Sequence, residues 1–101
     1  MPTVGEAQNS LTITDWVGDQ EQTHFYVTWT YEGYAPDTPL TLKMFRVNDP
    51  DEVKYTVEGH QIHNLRYDFE QVLPLLGEYY YAVIYFGGEE IARTDTKEGW
   101  S

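Results

Sequence analysis

From Leu11 onward the apolar residues fall mostly on every second position, the period of a half-buried strand. Leu11 and Ile13, with Trp16 or Val17, predict a first strand that Gly18-Asp19 ends. The cleanest alternation runs from His24 to Tyr31, where Phe25, Val27, Trp29 and Tyr31 point one way and His24, Tyr26, Thr28 and Thr30 the other. Glu32 to Pro39 holds a glycine and two prolines and reads as a loop. Leu40 to Val47 alternates again, with Leu40, Leu42 and Met44 set against Thr41, Lys43, Phe45 and Val47.

Asn48-Asp49-Pro50-Asp51 is a turn by residue type. Val53 to Val57 predicts a short strand that Gly59 stops, and Gln61 to Phe69 an extended segment anchored by Ile62, Leu65, Tyr67 and Phe69. After a corner at Leu73-Pro74-Leu75-Leu76-Gly77 comes a continuous apolar and aromatic run, Glu78 to Phe86. Gly87-Gly88 is a hairpin signal, and Glu89 to Thr96 returns as the last strand. Apart from at most one helical turn within Asp68–Leu76, no segment carries a helical period. About seven short strands with turn signals every 8 to 12 residues or so predict an all-β fold, an antiparallel β-sandwich. The lead-in is residues 1–10, the sandwich domain 11–97 and the tail 98–101.

The length suits a single domain. Nine Tyr, four Phe and three Trp supply the large rings that let few residues build a core. No cysteine is present, which excludes disulfides, thiolate metal sites and cysteine nucleophiles. The compartment stays open: extracellular or cell-surface for a module of a longer chain, cytoplasmic for a free-standing one. The net charge of −11, with only six Lys and Arg, speaks against nucleic acid and anionic membranes as partners. It serves solubility, or else a carboxylate decoy aimed at a basic partner. No stretch is long and apolar enough to insert in a membrane as a helix, and the first residues do not read as a signal peptide.

Leu11-Thr12-Ile13, Val27-Thr28-Trp29 and Leu42-Lys43-Met44-Phe45-Arg46 resemble the first three strands of a fibronectin type III domain. Leu73-Pro74-Leu75-Leu76-Gly77-Glu78-Tyr79-Tyr80-Tyr81-Ala82-Val83 is similar to that family's corner, in which a Leu precedes a Tyr by six residues. The same stretch resembles the corner of immunoglobulin-like domains, with Tyr81 at the cysteine position. The resemblance implies that Tyr79 is the corner tyrosine, its hydroxyl bonded back to the backbone. It also implies a binding or spacer role.

Candidate chemistry is sparse. His60 and His63, three apart on a strand, face opposite sides and predict no shared metal. Asn48 to Glu52 is rich in carboxylates but lacks the calcium-loop pattern. Ser10 and Ser101 are the two serines, both near the ends, and no phosphate-cradling loop is present. The sequence predicts no catalytic residue, no cofactor and no metal. Trp16, Trp100 and loop tyrosines such as Tyr34 suggest aromatic platforms for sugar rings.

The more informative feature is a face. If Tyr79, Tyr81 and Val83 point inward, as the corner resemblance implies, Tyr80, Ala82, Ile84 and Phe86 point outward. Beside them on the third strand stand Phe45 and Val47. Phe45, Val47, Tyr80, Ala82, Ile84 and Phe86 are then the expected partner-binding residues, and Ile84→Glu should abolish contact while sparing the fold. Three readings follow: a protein–protein interaction or spacer module, contacting a protein or a neighbouring domain; an acidic inhibitor that blocks a basic enzyme site; and a carbohydrate-binding module.

Overall fold

The computed structural model describes residues 8–101, so most of the 1–10 lead-in lies outside the described residues. Eight strands follow in order: β1 Ser10–Asp19, β2 His24–Glu32, β3 Pro39–Arg46, β4 Glu52–Gln61, β5 Arg66–Asp68, β6 Tyr79–Phe86, β7 Glu89–Arg93 and β8 Lys97–Glu98. They form two antiparallel sheets. One is three-stranded, ordered β1-β2-β5; the other is five-stranded, ordered β4-β3-β6-β7, with β8 beside β6. The fold is an all-β sandwich.

Period-two burial explains most of the core. Phe25, Val27 and Trp29 from β2 and Leu40, Leu42 and Met44 from β3 are almost fully buried between the sheets. The Trp29 indole donates to the Ile62 carbonyl at 3.0 Å, so its polar edge is satisfied inside. At one end Trp16 stacks on Phe25, centroids 4.6 Å apart, and Phe25 also meets Tyr80 and Trp100.

Bulges decide where strict alternation breaks. The register of β1 against β2 shifts between Ile13 and Asp15. The extra residue turns the strand over, so Leu11, Ile13 and Trp16 all reach the core side although their numbers differ in parity. Gly59 does not stop β4, which runs on to Gln61. With φ at 77° it lies where the register slips between Leu40 and Leu42, and glycine takes the left-handed conformation a bulge needs. The expected last strand is split. Thr94 satisfies Ala82 from both sides, its N–H donating to the Ala82 carbonyl and its Oγ1 accepting the Ala82 N–H, and the chain then steps across to pair as β8.

Candidate interaction face

The orientation of β6 corrects the expected face. Tyr80, Ala82 and Ile84 are 1%, 0% and 0% exposed and belong to the core cluster. Residues directly opposite in an antiparallel pair share a face. Met44 opposite Ala82 and Leu42 opposite Ile84 therefore put these β6 residues inside. The corner is the physical reason. The Tyr80 hydroxyl, not that of Tyr79, accepts the Leu75 N–H at 3.1 Å, and Pro74 is buried beneath it. Tyr79 is on the surface, so the corner is displaced by one residue and every side chain of the strand changes sides.

Phe45, Val47 and Phe86 remain of the six residues expected at the face. Phe45 does lie on the outer side of the five-stranded sheet, stacked on Tyr81 with centroids 5.0 Å apart and planes 8° from parallel. Val47 is exposed next to Tyr79, its N–H donating to the Tyr79 carbonyl. Phe86 is exposed too, but at the other end of β6, roughly 20–25 Å from Tyr79 at strand rise. There it meets Tyr34 edge-on and lines a shallow cleft with Glu89 and Glu90. Val47 and Phe86 do not share a patch.

The outer side thus carries Tyr79, Tyr81, Val83 and Tyr85 from β6, opposite Phe45, Lys43 and Thr41 of β3. Its centre is largely covered by its own chain. Arg93, paired with Glu90 at 2.6 Å, lies over the Tyr81 ring, and Lys43 lies over Tyr85. The Tyr81 hydroxyl donates to Asp51 Oδ2 at 2.6 Å. Burial and this bond to a carboxylate push the Tyr81 hydroxyl up to about 12, while the same bond holds Asp51 below the usual carboxylate range.

Toward the Tyr79 end the cover stops and apolar side chains stand in water. Val47, Leu73, Leu75, Leu76 and Tyr79 are 42%, 57%, 41%, 71% and 47% exposed. The leucines arise from period two in an extended corner: Val72 and Pro74 turn in, so Leu73 and Leu75 turn out. The corner backbone is pinned. Leu76 N–H donates to the Ser101 carbonyl, Trp100 and Ser101 N–H donate to the Pro74 carbonyl, and Gly77 N–H donates to Glu98 Oε2. Gly99 packs so closely on Pro74 and Leu75 that a Cβ there would strike their backbone. These leucines are therefore presented on a fixed frame. Sequence reasoning marked this segment as a corner and missed it as a surface; its signal was three leucines in a stretch whose alternate positions are already filled by Val72 and Pro74.

The remaining candidates are placed as follows. Trp16 is core rather than a sugar platform, and Trp100, in the 98–101 tail, is partly buried against Phe25 and Gly18. His60 Nε2 meets the Asn64 carbonyl just past its own strand, whereas His63 Nδ1 meets the Pro36 carbonyl of the β2–β3 loop, so the two rings serve different contacts. His24 is buried with Nε2 at 2.9 Å from Asp68, which Arg66 also grips. Among the described residues, no group of three or more His, Asp or Glu is placed to hold a metal ion, and no helix is long and apolar enough to cross a membrane. No family model, curated protein or solved structure matches the chain.

Proposed function

We propose that this chain is a non-catalytic protein–protein interaction module of the fibronectin type III or immunoglobulin-like kind. Its contact surface is the corner end of the five-stranded sheet: Val47, Leu76 and Tyr79, together with Leu73 and Leu75, which line a cleft with Arg46 and Lys54. The observation that carries this reading is the pinned set of apolar side chains, each more than two-fifths exposed. Large apolar patches on a soluble domain usually serve contact, and rigid presentation lowers the entropic cost of binding. The antiparallel two-sheet arrangement and strand order are consistent with the family resemblance.

The test is a comparison of baits. The parent chain, a Leu73→Ser/Leu76→Ser variant and a Tyr26→Ser variant on the three-stranded sheet are each immobilised and exposed to extract of the natural source. A protein retained by the parent and by Tyr26→Ser but lost by the corner variant supports the reading. Identical retention by all three would contradict it.

A further inference from the structure

The charge around this corner selects among the occupants an apolar surface can have. We infer that its partner presents apolar side chains flanked by Lys or Arg, and that it is not a second copy of this chain; the inference rests on the contact surface proposed above.

Two observations support it. First, five of the chain's six cations are already engaged: Arg46 and Lys54 both turn to Glu52, Arg66 to Asp68 and Arg93 to Glu90, while Lys43 lies over Tyr85 and Lys97 stands exposed in β8. With 17 Asp and Glu against six Lys and Arg, most carboxylates have no cation to pair with. Second, carboxylates rim the corner in fixed positions, beside Lys97 of β8 and beside Arg46 and Lys54, which line a cleft with Leu73 and Leu75 but already turn to Glu52. Glu98 accepts from Gly77 N–H at 2.9 Å and lies opposite Tyr79 in the β6–β8 pair. Asp51 accepts from Asn48 N–H and from the Tyr81 hydroxyl beside the Phe45 ring. Glu78 immediately precedes Tyr79 and is 3.7 Å from Arg46.

A second copy would bring the same rim and the same net charge against themselves, which costs free energy at low salt. A segment with leucine-like side chains between lysines would instead cover the apolar centre and meet the carboxylates. The rim is exposed, so its contribution lies mainly in association rate and partner choice and is screened by salt.

The experiment uses the whole chain and two labelled synthetic helical peptides of equal leucine content, one with lysine and one with glutamate at the remaining positions. The expected result is binding of the lysine peptide alone. Its affinity should fall on the order of tenfold between low and physiological salt. Binding should also be lost in Leu73→Ser/Leu76→Ser, which leaves the charge unchanged. Near-ultraviolet circular dichroism checks that this variant keeps its packing. Equal binding of both peptides, lost in the variant, would overturn the basic-partner inference and leave the contact surface standing. Lysine-peptide binding that survives in the variant would overturn both, as would no binding at all. Dimerisation of the chain alone, abolished in the variant, would replace the basic partner with a second copy.

Discussion

The Tyr80 hydroxyl accepts the backbone N–H of Leu75 at 3.1 Å, a bond that holds the corner in the one register in which β6 faces inward at Tyr80. It ties the corner to the start of the strand with Tyr80 inside. Ala82 and Ile84 then follow into the core, and Tyr79 and Tyr81 go to the outer side.

Tyr80→Phe keeps the ring and removes the acceptor. It should cost about 1–3 kcal/mol, because the Leu75 N–H loses its partner in a partly buried setting. Tyr79→Phe, whose hydroxyl lies 3.5 Å from Glu98 on the surface, should stay within about 0.5 kcal/mol of the parent. Urea unfolding of both variants measures the difference, and equal losses would place the corner bond elsewhere.

Ile84→Glu should not fold. The side chain is fully buried opposite Leu42, and an unpaired carboxylate there costs more than about 4 kcal/mol, a large part of a small domain's stability. A cooperative thermal transition near the parent's would contradict the burial of this face.

How much of this was legible in the sequence differs from strand to strand. In β2, apolar residues alternate with His24, Tyr26, Thr28 and Thr30, so period two alone gives the inward set. In β6 every residue from Tyr79 to Phe86 is apolar or aromatic, and alternation carries no information about sides. The facing had to come from the corner, where Tyr79, Tyr80 and Tyr81 stand in a row and each can serve. The spacing from Leu73 pointed to Tyr79; the residue six before the true corner tyrosine is the buried Pro74. Gly59 reads as a breaker in sequence, whereas a positive φ inside a bulge lets the strand continue. The exposure at the corner was half legible: Phe45 and Val47 read as outer, but Tyr79 and the corner leucines depend on the same one-residue choice.

Two of the nine tyrosines should titrate late. Burial raises Tyr67 and Tyr81 to about 12, and the Asp51 carboxylate adds to the effect at Tyr81. A tyrosine raised in the folded state contributes stability that is present below its unfolded value near 10 and is lost as pH rises through about 12. Tyrosinate absorbance should therefore show a late phase coupled to alkaline unfolding. In Asp51→Ala the Tyr81 part of that phase should move partway down; no movement would mean the Tyr81–Asp51 bond contributes nothing.

Gly99→Ala should loosen the corner. Its methyl would run into the backbone of Pro74 and Leu75, which cannot yield as a side-chain tip can. A loss of about 1–3 kcal/mol is expected, with faster amide exchange at Leu76 and Gly77, whose N–H groups are held by Ser101 and Glu98. Unchanged exchange would show that the tail does not hold the corner.

The most direct measurement is a titration of the isotope-labelled chain with the leucine–lysine peptide, following every backbone amide by NMR. The account predicts that shifts concentrate at Val47, Leu73, Leu75, Leu76 and Tyr79 and at the neighbouring Glu78 and Glu98. Shifts centred on the Tyr34–Phe86 cleft or on the three-stranded sheet, with the corner silent, would contradict it.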